Sequence, residues 1–181
     1  MRKNKVGSIV DKYANLLKVA REKEQYNEIS KLYHEYTQEI SNINDCEIEL
    51  MKYLEHNLDT LQWDNENLWF IAIYEHPSPN YIPYFINILK CSLPKNVVYY
   101  RVLDILSYMP DDMSQLALPQ LYLFIDEINP NWSEEVIEKY FEAVIMINDS
   151  EPMNFLRKAV NSPNPNFSFY ADYWINRMNE N

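Results

Sequence analysis

The side chains best suited to chemistry in this 181-residue chain are three histidines, two cysteines and 27 carboxylates. His34, His56 and His76 each adjoin a glutamate, namely Glu35, Glu55 and Glu75. Neighbouring helical residues do not share a face, so none of these pairs presents two ligands to one metal ion. Neither HExxH nor HxxxH occurs, and solvated histidines are the expectation. Cys46 and Cys91 stand at no metal or redox spacing, among apolar residues near helix ends, and are expected as buried thiols. The one glycine, Gly7, cannot supply a GxSxG elbow, a phosphate loop or a dinucleotide-binding turn. The carboxylates fall in helix first turns and on polar faces, where solvation is the usual fate. No catalytic residue, cofactor or metal is assigned, and the chain is not expected to be an enzyme.

Binding chemistry is better represented. Fifteen tyrosines and four tryptophans are a surplus, and these residues supply interface energy at low entropic cost. Several stand beside charges away from the apolar stripes. The candidate partner-binding residues are Tyr99, Tyr100, Arg101, Asp104 and Tyr108 on one helix. Trp63, Asp64 and Glu66 flank them at one corner, and Trp132, Glu134 and Glu135 at another. Charge reversal at Asp104 or Glu134 is expected to weaken partner binding without lowering the melting temperature.

Charge suggests the kind of partner. The formal net charge is −11. Residues 1–45 carry eight Lys/Arg against seven Asp/Glu, and residues 46–181 carry eight against twenty. An acidic body of this kind repels a phosphate backbone and attracts a basic protein. The expected partner is a protein, with no nucleic acid and no membrane. No apolar block near residue 1 matches a signal peptide, and no stretch reaches membrane-spanning length, so the expected location is cytoplasmic. A monomer or weak homo-oligomer is expected.

The elements that must carry these residues read as helices throughout. In residues 96–109, Val98, Val102, Ile105, Leu106 and Met109 recur at steps of three and four, with Pro94 before and Pro110 after. Residues 8–41 form a long helical segment, with Ser8 as its expected cap and Asp11 accepting in return. Its stripe changes phase near residues 24–27, which favours two helices over one. Asp45 is expected to cap a helix burying Ile48, Met51, Leu54 and Leu58. Further helices are expected over about 65–75, 80–91, 113–118, 119–128, 134–147, 152–161 and 167–178. Ser133 is the expected cap of the helix at 134, with Trp132 stapled onto Ile137.

Helix starts recur every 14 to 21 residues, so a helical hairpin spans about 35 to 38. The phrases SPNY (78–81), NPNW (129–132) and NPNF (164–167) each place Pro-Asn and then an aromatic at a helix entrance. In this pattern, over about residues 45–179, the chain resembles HEAT-like helical arrays. The expected fold is all-α, a HEAT-like α-solenoid of antiparallel hairpins. An irregular helical bundle is the alternative. The expected organisation is one structural domain, in which an N-terminal helical segment (1–44) packs on a hairpin array (45–181).

A short, acidic, glycine-poor, tyrosine-rich helical chain also resembles the immunity proteins of bacterial polymorphic toxin systems. That resemblance implies neutralisation of a basic toxin domain, such as a nuclease, by occlusion. The contacting face would be the second helix of each hairpin. A scaffold or adaptor that binds a peptide or protein in the helical groove is the alternative. The helical-repeat DNA glycosylases are similar in architecture and tryptophan content, but the basic lining that duplex wrapping needs is missing here.

Overall fold

The computed structural model describes residues 5–57, 68–91, 96–127, 132–148 and 151–180. Among them every regular element is helical, so the chain is all-α. Its contacts gather into two compact units, Met1–Ser78 and Pro79–Asn181.

The first unit holds α1 (Lys5–Glu22), α2 (Tyr26–Ser41), α3 (Cys46–Asn57) and α4 (Leu68–Glu75). The anticipated break in the long segment lies between Glu22 and Tyr26, and its geometry is that of a Schellman motif. Glu24 adopts φ 53°. Its N–H donates to Arg21 O at 2.9 Å, and the Gln25 N–H donates to Ala20 O at 2.9 Å. Glutamate thus occupies a left-handed position that glycine usually takes. Asp45, at φ 60°, makes the second such turn, before α3.

α1 starts at Lys5, three residues ahead of the anticipated cap Ser8. Its first turn is completed from another helix, because Glu49 Oε2 of α3 accepts from Lys5 N at 2.7 Å and Val6 N at 3.1 Å. A carboxylate at a helix N-terminus satisfies free amides and meets the positive end of the dipole. Close approach of α1 and α3 is also what the lone glycine provides. A Cβ on Gly7 would stand well inside van der Waals contact of the Tyr53 ring. That ring is held by stacking on Trp69 (centroids 4.7 Å) and by a 2.8 Å hydrogen bond to Asp11.

α1 and α2 run in opposite senses, joined by Lys12–Glu39 at one end and Arg21–Tyr33 at the other. α1 and α3 run in the same sense, as do α2 and α4. Tyr36 OH donates to Leu68 O at 2.7 Å, and Ser41 Oγ to Glu75 Oε2 at 2.9 Å. His76, anticipated as solvated, is half-buried and lies 2.8 Å from Ile40 O. α3 buries Cys46, Leu50 and Leu54, whereas Ile48 is exposed. The buried face is thus set one position away from the anticipated stripe, because Glu49 must reach the start of α1. Leu58 and the corner after it lie outside the described residues.

The second unit holds α5 (Tyr81–Lys90), α6 (Asn96–Tyr108), α7 (Asp111–Ser114), a 3-10 turn (Gln115–Ala117) and α8 (Leu118–Leu123). It continues with α9 (Glu134–Ile147), α10 (Pro152–Ala159) and α11 (Pro165–Asn179). α8 ends five residues short of the anticipated 128. α8 packs beside α9, with Phe124 against Trp132 and Tyr122 bonded to Asn148. α6 and α9 run in the same sense, joined at Asn96–Ser133 and Asp104–Lys139. α8 and α10 do so too, with Tyr122 stacked on Phe155 and Asp126 paired with Lys158.

The anticipated stripe of α6 is buried from Val98 to Met109. The aromatics that close the three Pro-Asn phrases, Tyr81, Trp132 and Phe167, are all buried. Trp132 lies 5.2 to 6.2 Å from the rings of Phe124, Tyr140 and Phe167, and Tyr140, which also meets Phe141 and Phe155, is the hub of this core. Ser133 stands at the anticipated cap position with extended backbone, but its hydroxyl makes no capping bond. Pro94 and residues 129–131 lie outside the described residues.

Candidate functional site: an acidic, aromatic groove

α9 places Glu135, Glu138 and Glu142 at steps of three and four, which sets them on one face. α6 brings Tyr100 to that face from one side, and α11 brings Trp174 and Arg177 from the other. Together with Lys139 these residues line a groove of about 400 Å³ within the second unit.

Lys139 is the floor of the groove. It is 5% exposed, yet its ammonium is fully engaged. Nζ lies 2.8 Å from Asp104 Oδ1 and 3.1 Å from Glu142 Oε2, and 5.4 Å from the Tyr100 ring centre. Burial opposes the charge, but hydrogen bonds to Asp104 and Glu142 outweigh it and hold the ammonium's pKa above its ordinary value. Arg101 extends the network, with Nη1 3.7 Å from Asp104 Oδ2.

From α11, Trp174 and Arg177 line the groove, and further aromatics stand beside them on the same helix. Phe169 is 65% exposed and Tyr173 is also exposed, while Tyr170 and Trp174 are half-buried. The Arg177 guanidinium stands 5.0 Å from the Trp174 ring centre, and Nη1 lies 3.4 Å from Tyr173 OH. The Trp174 indole N–H is enclosed and has no acceptor. Glu135 and Glu138 are exposed and form no ion pair among the described residues. Their field reaches Tyr170, whose hydroxyl pKa is raised first by burial and then by Glu138, Glu134 and Glu135.

The residues anticipated as a binding set are therefore divided. Tyr100 and Glu135 line the groove, and Glu134 is exposed beside Glu135 in the first turn of α9. Tyr108 is exposed at the end of α6. Tyr99 is 0% exposed, and its hydroxyl donates to Cys91 O at 2.6 Å. It belongs to the core, as does Trp132, whose ring packs 6.1 Å from its own. Asp104 and Arg101 are tied into the Lys139 network rather than open to a partner. Trp63, Asp64 and Glu66 lie outside the described residues.

Glu138, Lys139, Glu142, Trp174 and Arg177 were not anticipated. A signal existed for α11, since Phe169, Tyr170, Tyr173 and Trp174 exceed what one apolar stripe needs. For Lys139 there was none, because the segment EEVIEKYFE reads as an ordinary charged face.

Among the described residues no group of three or more His, Cys, Asp or Glu side chains is arranged to hold a metal ion. No described helix is long and apolar enough to cross a membrane. Cys46 is buried, and burial followed by the Glu49 charge pushes its thiol up to about 11, so it is not a thiolate nucleophile. Cys91, anticipated as buried, is exposed at the end of α5. Comparison of the chain with protein-family models, curated proteins and solved structures returns no match.

Proposed function

We propose that this chain is a non-catalytic binding module that occludes a basic protein, acting as an immunity protein against a toxin domain in the bacterial cytoplasm. The observation that carries this reading is the groove on α6, α9 and α11. There, unpaired carboxylates adjoin exposed and half-buried aromatic rings on one face. Aromatic rings supply the binding energy of such faces, and the carboxylates set the sign of the partner. A basic nuclease domain is the natural complement, because its own substrate site attracts phosphate.

A HEAT-like arrangement fits the same reading. Alternate helices in each unit run in the same sense, and the groove is built by α6, α9 and α11, the second helices of successive hairpins. That is the face such arrays turn toward partners.

The test is a pull-down from native lysate at low and high salt, with the captured proteins identified by mass spectrometry. Wild type is compared with the Glu138→Lys variant, at an exposed groove site beyond the first turn of α9, where the melting temperature should change little. Capture of a basic toxin domain, lost at high salt and in the variant, supports the proposal. Capture of neutral or acidic proteins, or of nucleic acid alone, overturns it.

A further inference from the structure

We infer that the groove also receives α1 of a second copy of this chain, so that copies associate head to tail. The inference goes beyond the binding role just proposed, because it uses the same groove but names a different occupant.

The two surfaces are opposite in charge. Residues 5–23 carry five Lys/Arg against two Asp/Glu, a net of +3. α9 carries four glutamates against Lys139, a net of −3. Lys12 is paired with Glu39, but Lys18 and Lys23 are exposed and form no ion pair among the described residues. In the groove, Lys139 is fixed to Asp104 and Glu142, and Arg177 keeps its place over Trp174. The rim remains open. There Glu134, Glu135 and Glu138 are exposed, with no ion pair among the described residues.

The surfaces also match in apolar character. Lys12, Leu16, Val19 and Lys23 follow at steps of four, three and four, so they share one face of α1. Leu16 and Val19, in the middle of that face, stay 42% and 45% exposed although α1 packs on α2 and α3. The groove offers Tyr100 and the half-buried Trp174, with the exposed Tyr173 beside it. An apolar helix stripe flanked by lysines fits an aromatic groove rimmed by glutamates, since docking covers both apolar faces and pairs the charges.

The net charge of −11 opposes self-association mainly at long range. The Debye length at about 0.15 M salt is about 8 Å, so the two bodies are largely screened while charges in contact still attract. Each copy has one α1 and one groove, so the contact is heterologous and leaves a free α1 and a free groove at the ends of a row of copies. A basic protein that binds the groove more tightly displaces the second copy by mass action.

The test is sedimentation equilibrium of the full chain over a range of loading concentrations. At about 0.15 M salt the weight-average mass should rise with concentration above the 21.8 kDa of one chain. In about 1 M salt, where the Debye length is about 3 Å, it should return to that value. Two variants separate the surfaces: Val19→Glu/Lys23→Glu alters α1, and Glu138→Lys alters the rim of the groove. Each alone should weaken self-association about tenfold or more, because like charges then face each other. Mixed in equal amounts they should associate again, since the first keeps an intact groove and the second an intact α1. Circular dichroism checks that each is folded, with the milder Lys23→Gln or Glu138→Gln taken in place of a reversal that does not fold.

A chain that stays monomeric at every concentration overturns the inference. So does association that ignores salt or either variant, or a mixture of folded variants that stays monomeric. The two proposals fail separately. Salt-sensitive self-association with no basic protein captured from lysate leaves this inference and removes the binding role. Capture of a basic toxin domain by a strictly monomeric chain does the reverse.

Discussion

The Lys139 ammonium on α9 lies 2.8 Å from the Asp104 carboxylate on α6, at 5% exposure of the lysine. The pair joins the two helices that carry the floor of the groove. It also changes the expectation that Asp104 can be reversed without structural cost.

Asp104→Lys places two ammonium groups together in a largely buried site and should lower the melting temperature. Glu134→Lys, exposed in the first turn of α9, should lower it far less, by the helix-dipole interaction of about 0.3–1 kcal/mol alone. Lys139→Ala leaves Asp104 with only the more distant Arg101 and should cost about 2 kcal/mol. That is below the range for fully buried pairs, because the carboxylates keep some solvent. Asp104→Leu/Lys139→Met should recover most of the loss, and a double-mutant cycle by chemical denaturation measures the coupling.

Glu24→Gly should stabilise the protein. The left-handed conformation at φ 53° costs a residue with a Cβ about 1 kcal/mol that glycine avoids. The expected rise in melting temperature is about 2–4 °C, read by calorimetry. An unchanged or lower value would show that the Glu24 side chain makes a compensating contact.

Gly7→Ala should destabilise by about 1–3 kcal/mol, the usual range for overpacking a tight site. The added methyl group meets the Tyr53 ring, which Trp69 and Asp11 prevent from moving aside. In a Tyr53→Ala background the same change should cost much less. Equal costs in both backgrounds would place the clash elsewhere.

Stability should fall in alkali. Burial holds the hydroxyl pKa values of Tyr36, Tyr53 and Tyr140 above the ordinary value of 10.0. The folded state therefore keeps protons that the unfolded chain releases above pH 10. The contribution is fully present below pH 10 and declines above it, by up to about 1.4 kcal/mol per pH unit for each tyrosine. Denaturation at pH 8, 10 and 11 gives the slope, and Tyr140→Phe should reduce it by one tyrosine's share.

The helices were legible because their periodicity is local. The stripe from Val98 to Met109 is buried as its spacing requires, and the phase shift near Glu24 marks a real corner. What periodicity could not show is which second surface covers a helix. Tyr99 stands on the border of the α6 stripe, and Trp132, some thirty residues on, packs against its ring. The same holds for the site. Tyr100 and Glu135 were found from residue type, whereas Lys139 looked like a solvated lysine. Only the approach of α6 to α9 makes it the floor of a groove. The face of α3 was misplaced for a similar reason, since Glu49 is spoken for by a helix that begins far upstream.

That carboxylate makes the start of α1 depend on a later helix. The first turn of α1 is completed by a residue 44 positions downstream, so its amides stay open to water until α3 has been made and docked. During synthesis the hairpin of α1 and α2 can emerge and pair, but its leading end frays until Glu49 leaves the ribosome and reaches it. A fragment ending at Ser41 would therefore lack a contact that the intact unit has, and the smallest piece able to hold its own first turn extends through α3.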